Sequence, residues 1–336
     1  MAVAILTHDA FHDRAKTAVG LLRYGDRTVE ALVDRERAGQ RVHDSLPDVQ
    51  DAPIVASMAD APDVDALVIG ISPIGGEFNE SWRKDVRTAL ERGCDVYSGL
   101  HDFLADDEEF ARLAEEHDAE LHDLRKPPED LTVAAGTAGD VDATVVTTVG
   151  TDCSTGKMTA SFEIRDAARE RGLDAAVVPT GQTGIAITGW GIVIDRVIAD
   201  YAAGAVERLV EEAQAADLLV VEGQGALAHP AYSGVTTSIL HGSVPDALVM
   251  CHEAGREVIH GYESFDIPPL PEYVDIYERL AAPISDASVV AGMLNTRHLD
   301  DSEAADAVAG YSDALDAPAT DPVRHGVPDE VLDAIL

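Results

Sequence analysis

Short apolar runs alternate along this chain with longer amphipathic stretches, and the alternation predicts a repeating strand–helix order. The first runs are residues 2–6 (Ala-Val-Ala-Ile-Leu), 30–33, 66–70 and 95–97, each predicted as a strand. Helical spacing follows through Lys16, Ala18 and Leu22, then over 80–92, with Asn79 or Ser81 as the cap, and over 106–117. A second series begins with the strand at 142–149 and continues with strands at 175–178, 218–221, 247–250 and 288–294. The helices predicted between and after them are 157–170, 192–214, 272–281 and 301–309. Runs this short and this uniformly apolar are buried on both faces, which requires parallel sheets covered by helices. The two series show no internal sequence repeat.

The segment 119–139 breaks the pattern. It carries Arg125-Lys-Pro-Pro-Glu129 and then an Asp-, Thr- and Gly-rich stretch. The sequence therefore predicts an α/β protein of two doubly wound domains, residues 1–135 and 136–336, each of ordinary domain size.

The strand at 142–149 runs directly into Gly150-Thr-Asp-Cys-Ser-Thr-Gly-Lys-Met-Thr159 and then into a helical pattern. Strand, glycine loop, lysine and helix in that order make a phosphate-binding loop. Backbone amides wrap a diphosphate, the helix start adds unpaired N–H groups, and Lys157 supplies a flexible positive charge. Two departures from GxxxxGK[ST] matter. Five residues separate Gly150 from Gly156, and Met158 stands where a hydroxyl would contact Mg²⁺. Thr159 comes one position late. The loop thus keeps phosphate binding while losing a feature of nucleotide hydrolysis.

Residues 150–157 resemble the loop of dethiobiotin synthetase-like proteins, and the chain as a whole resembles the DUF1611 family. The pieces that carry the likeness are 150–161, Pro179-Thr-Gly-Gln-Thr-Gly184, Val221-Glu-Gly-Gln-Gly225, Leu294-Asn-Thr-Arg297 and Gly20-Leu-Leu-Arg-Tyr-Gly25. The resemblance implies a Rossmann-like N-terminal domain and a P-loop NTPase-like C-terminal domain. It also implies N-acetyltransferase activity from acetyl-CoA to the amine of D-glutamate. On that reading Gly150, Thr151, Asp152, Cys153, Ser154, Thr155, Gly156, Lys157, Met158 and Thr159 hold the cofactor phosphates, and Asn295 reads its adenine. Glu222, at the end of a strand and opposite the loop, is a candidate for taking the ammonium proton. His252 is a second candidate base, drawn from a set that includes His229, His241 and His260. Gln182, Thr183, Arg256 and Arg297 are candidate substrate contacts, with Trp190 as a possible apolar wall. Cys153 suits compact packing beneath a phosphate better than covalent catalysis. A further candidate surface is the glycine-rich loop Gly70–Gly76, which is not a dinucleotide fingerprint.

Charge sharpens the picture. Sixty-two Asp and Glu stand against 24 Lys and Arg, a formal net charge of −38. Such a chain lacks the basic footprint of a nucleic-acid binder and is repelled by anionic membranes. The acids are spread throughout, a composition similar to that of haloarchaeal proteins, whose cytosol is salty. The three cysteines, Cys94, Cys153 and Cys251, form no CxxC or zinc pattern, so neither a disulfide framework nor a structural metal is expected. With no signal-like N-terminus and no membrane-length apolar run, the expectation is a cytoplasmic enzyme, assembled as a homo-oligomer. Its partners are small amino-acid or carboxylate substrates. The alternative enzyme is an ATP- and Mg²⁺-dependent ligase or kinase acting on a small carboxylate, with Thr159 and Glu222 near the metal. A nucleotide-sensing regulator is a third possibility, weakened by the absence of a basic patch.

Overall fold

The computed structural model describes residues 1–12, 14–71 and 76–336. The middle of the glycine-rich loop at 70–76 therefore lies outside the described residues. The chain divides into two compact units, Met1–Pro127 with Gln182–Arg196, and Pro128–Gly181 with Val197–Leu336.

The first unit holds strands β1 (Ala2–Leu6), β2 (Thr28–Val33), β3 (Ile54–Val55), β4 (Ala66–Ile69), β5 (Asp95–Ser98) and β6 (Leu121–Asp123). They form one parallel sheet in the order β3-β2-β1-β4-β5-β6. This is the doubly wound order of a Rossmann-like domain. Helices α1 (Lys16–Tyr24), α2 (Arg83–Glu91) and α3 (Glu108–His117) connect the strands. The run-in to α2 is capped by Asn79, whose side chain accepts from the Ser81 amide at 2.9 Å. The short strands β3 and β6 were not foreseen, because two or three residues carry too little periodicity.

The second unit begins with β7 (Thr144–Gly150), α4 (Lys157–Glu170) and β8 (Ala175–Val178). The chain then enters the first unit as α5 (Gln182–Thr188) and returns at Val197. The stretch 179–184 singled out in the sequence thus contains the start of this helix. The helix expected from 192 starts later, as α6 (Ala199–Ala213), because Ile192-Val-Ile194 closes the excursion inside the first unit. The remaining elements are β9 (Leu218–Val221), α7 (Ser233–Ser243), β10 (Ala247–Glu253), β11 (Val258–Ile259), β12 (Tyr262–Asp266), α8 (Leu270–Ala281), β13 (Ser288–Asn295), α9 (Asp301–Leu315), β14 (Ala319–Thr320), α10 (Pro322–His325) and α11 (Asp329–Ile335). The main sheet is again parallel, in the order β14-β13-β10-β7-β9-β8, and β11 pairs with β12 as a small antiparallel ribbon.

Alternation along the strands builds a core on each face of this sheet. In β10, Val249 and Cys251 pack with Ala160, Ile164, Val331 and Ile335. Leu248 and Met250 face the other way, toward Leu240, Tyr273, Tyr277 and Tyr311. The two-residue period explains why the strand reads as a continuous apolar run. Among the described residues no helix is long and apolar enough to cross a membrane.

The stretch before β7 is held by one side chain. Glu207 of α6 accepts from the amides of Ala135, Gly136 and Thr137 at 2.6, 2.6 and 2.7 Å. Burial pushes this carboxyl up, but the amide donors outweigh it and hold it below the usual range.

Close approach also fixes the end of β9. A Cβ on Gly223 would lie 1.8 Å from the carbonyl oxygen of Thr148, and the Gly223 amide donates to Thr148 Oγ1 at 3.0 Å. Backbone cannot yield as a flexible side chain can. Gly223→Ala is therefore expected to lower stability by about 3 kcal/mol, read from the denaturant midpoint at unchanged slope.

Candidate phosphate-binding site

β7 lies between β9 and β10, so its C-terminal end opens at the middle of the sheet edge, where doubly wound sheets place ligands. The strand is pinned there by Thr151 N, which donates to Cys251 O at 3.1 Å, and by Tyr277, whose hydroxyl donates to Gly150 O at 2.8 Å. Ser154 and Gly156 take positive φ, +57° and +107°. Left-handed residues alternating with ordinary ones turn successive amides toward one concavity, an anion nest. The first turn of α4 adds N–H groups that no preceding carbonyl can take, together with the favourable end of the helix dipole. Lys157 is 7% exposed, and its Nζ donates to Asp152 O at 2.7 Å across the loop. Gly150 leaves it room, since a Cβ there would stand 3.0 Å from Nζ. Met158 is buried and Thr159 half-buried.

The loop is braced by a buried carboxylate. Asp152 is fully buried, and Oδ1 accepts from the Cys153 amide at 2.6 Å. Oδ2 accepts from Arg256 Nη1 at 3.0 Å and from the His260 amide at 2.8 Å. Arg256 Nη1 also donates to Cys153 O at 2.7 Å, and Nη2 donates to Glu253 Oε2 at 2.6 Å. The Arg256 guanidinium, expected at the substrate, is thus committed to the loop and to Glu253. Glu253 in turn lies 3.6 Å from Arg297 Nη2 and 3.4 Å from His298 Nε2. Glu253 and the His260 amide were missed by sequence reasoning, although Glu253 ends β10 beside the His252 that was noticed.

His252 Nδ1 lies 2.7 Å from Thr151 Oγ1, and its ring stacks on Tyr311 at 5.8 Å. Burial, helped by the Arg256 charge, pushes its pKa down to about 4, so the ring is neutral at pH 7. An imidazole this weak is a poor proton acceptor for an ammonium group.

His229, buried at 2% exposure, brings a ring nitrogen to within 4.8 Å of a carboxylate oxygen of Asp152 and of Cys153 Sγ. The grouping has the elements of a metal site. However, Asp152 is already engaged by three donors, and His229 Nδ1 accepts the Ala231 amide at 3.1 Å, which puts the neutral ring's proton on Nε2. That tautomer opposes metal ligation through Nε2 and makes the ring a donor. Burial holds its pKa below the ordinary histidine value.

Other expected site residues fall as follows. Glu222, 4% exposed, ends β9 and accepts from Gly181 N through Oε2 at 3.2 Å, while its carbonyl accepts from Thr180 Oγ1 at 2.5 Å. Asn295 ends β13 level with Glu253, and its Oδ1 accepts from the Arg297 amide at 3.2 Å. Loop residues 150–157, Arg256, His252, Asn295 and Arg297 thus share one sheet edge. His241 instead contacts Leu280 O at 2.9 Å. In the first unit, Thr183 is buried with its hydroxyl 2.9 Å from that of Thr17, and Gln182 and Trp190 are half-buried on the same excursion.

Two parallel α/β domains, the second built around a phosphate loop, define the class. Residues 132–332 match the family model described as a domain of unknown function (DUF1611_C) P-loop domain, and residues 35–127 match the Rossmann-like DUF1611_N domain. The chain belongs to the DUF1611 family. It is 39% identical over 269 residues to a D-glutamate N-acetyltransferase of Tritonibacter scottomollicae, covering 80% of each chain. It is 36% identical over 264 residues to a D-glutamate N-acetyltransferase of a Pseudoalteromonas species, covering 78% of each. A solved DUF1611 family protein from Anabaena variabilis superposes with a TM-score of 0.94 at 38% identity, over 99% of this chain and 98% of that one. This homology supports a transferase-type enzyme.

Two outcomes follow from the site. Arg256→Met should cost about 3 kcal/mol, because it strands the buried Asp152 charge, and denaturant unfolding reads it directly. The His252 pKa is depressed on folding, so its stabilisation is present above the ordinary value near 6.5 and is lost as pH falls toward 4. Between those values the stability of the wild type should fall with a slope approaching about 1.4 kcal/mol per pH unit from this group, and His252→Gln should flatten the curve.

Proposed function

We propose that this protein transfers the acetyl group of acetyl-CoA to the amine of D-glutamate. The observation that carries the reading is a phosphate loop with its amide nest and lysine in place but with buried Met158 where the Mg²⁺-binding hydroxyl would stand. Such a loop suits a diphosphate that is held and not split. The activity of the two curated relatives supplies the reaction.

In this reading the loop amides and Lys157 take the diphosphate of coenzyme A, and Asn295 meets the adenine. Glu222 accepts a proton from the substrate ammonium, directly or through water, because only the free amine can attack a thioester. The amine nitrogen then bonds to the carbonyl carbon, the carbon–sulfur bond breaks, and coenzyme A leaves as a thiolate that takes up a proton. For Glu222 to act so, the pantetheine arm must fold back toward the end of β9. Backbone N–H groups are the natural partners of the transient oxyanion.

The test is release of coenzyme A thiol from acetyl-CoA with D-glutamate at high salt, beside a panel of L-amino acids and a calorimetric titration with Mg-ATP. Activity with D-glutamate is expected. Lys157→Ala should weaken coenzyme A binding, and Glu222→Gln should lower kcat by about 100-fold or more. A folded protein that binds Mg-ATP and neither coenzyme A nor acetyl-CoA would overturn the reading in favour of a kinase or ligase.

A further inference from the structure

We propose that Arg297 recognises the ribose 3′-phosphate of coenzyme A, and so sets the preference of the site for coenzyme A over nucleotides without that group. The inference rests on the acetyl-CoA reading above and adds a specificity-determining residue to it.

The argument begins with the spacing of charges along the sheet edge. β7, β10 and β13 are adjacent strands, and the ladder sets Gly150 beside Cys251 and Glu253 beside Asn295. The phosphate loop and the end of β13 are therefore two strand spacings apart, roughly 10 Å. That is the scale of the separation between a diphosphate and a second phosphate on the far side of a ribose. Between the two ends runs an alternating chain of charges. Asp152 pairs with Arg256 at 3.0 Å, Arg256 with Glu253 at 2.6 Å, and Glu253 with Arg297 at 3.6 Å.

The members of this chain differ in how far their charge is spent. Arg256 is largely buried and donates to two carboxylates and a carbonyl. Arg297 has 57% of its side chain exposed, and its only carboxylate contact recorded among the described residues is the looser 3.6 Å approach to Glu253. Its Nε donates to His298 Nε2 at 2.9 Å, and more than half of the side chain stays open to solvent. A planar fork of this kind matches a phosphate dianion in geometry and charge.

The backbone beneath it is fixed. Thr296 is buried, its amide donates to Asp321 Oδ2 at 3.0 Å, and its hydroxyl accepts from Arg324 Nε at 2.9 Å. On its other side, Arg297 N donates to Asn295 Oδ1. The cation is thus presented from an anchored turn, with Glu253 as its resting partner and a phosphate as the stronger one.

Coenzyme A and dephospho-coenzyme A differ by this phosphate alone, so calorimetry with both ligands on the wild type and on Arg297→Gln isolates the contribution. The wild type should bind coenzyme A about tenfold more tightly than dephospho-coenzyme A, the worth of one charge-assisted contact. Arg297→Gln should bind the dephospho form as the wild type does and lose the preference, with circular dichroism showing an unchanged fold. Equal binding of both ligands by the wild type would overturn the inference and leave the acetyl-CoA reading standing. A preference retained in Arg297→Gln, or an equal loss for both ligands, would also overturn it. If the folded wild type binds neither ligand, the underlying reading falls and this inference with it.

Discussion

A carboxylate with no access to water sits inside the phosphate loop, and the loop keeps its shape because that charge is answered from three directions. Burying an unpaired Asp152 would be prohibitive, so the donors that meet it must be in place whenever the domain is folded. They come from the loop itself, from the Arg256 side chain and from the backbone at His260. The turn after β10 is therefore tied to the loop after β7, and Arg256 brings Glu253 with it. A concavity for an anion is preformed by an internal anion and its cation. On the proposed reading, binding there costs little reorganisation, since the positive φ of Ser154 and Gly156 already shapes the nest.

This bracing also bears on electrostatics. A protein with a net charge of −38 has a long-range field that repels a phosphorylated cofactor. Most cations at the loop edge are neutralised by carboxylates, so they do little to reverse that field. On the proposed reading, attraction comes at short range, from oriented backbone amides, Lys157 and Arg297, where dipoles and near charges act and distant acids are screened. Salt would aid approach by weakening the repulsion while leaving the close contacts less affected.

The strands at the centre of both sheets were legible in the sequence because burial on two faces turns them into uninterrupted apolar runs. The phosphate loop was legible because its glycines, lysine and helix must occur in one order. Helix α7 was not, since Ser233-Gly-Val-Thr-Thr-Ser238 has the composition of a loop. Its hydroxyls return to carbonyls one turn back, with Thr237 bonding Ser233 O and Ser238 bonding Gly234 O, and Gly242 allows close packing on α6. The Asp152–Arg256–Glu253 network was hidden for a different reason. Asp152 lies about a hundred residues from Arg256 and Glu253, and no local pattern says that a given acid will be buried and a distant arginine will meet it.

The excursion of α5 has a consequence for how such a protein can be rearranged. Neither compact unit is one continuous piece of chain, because residues 182–196 belong with the first while lying between halves of the second. A gene cut after the first unit would give an N-terminal fragment without the helix that meets Thr17, and a C-terminal fragment carrying Ile185 and Ile187 with their native cover gone. The P-loop half could not readily be traded between proteins as a module. Recombination at the apparent boundary would separate residues 182–196 from the unit they pack in.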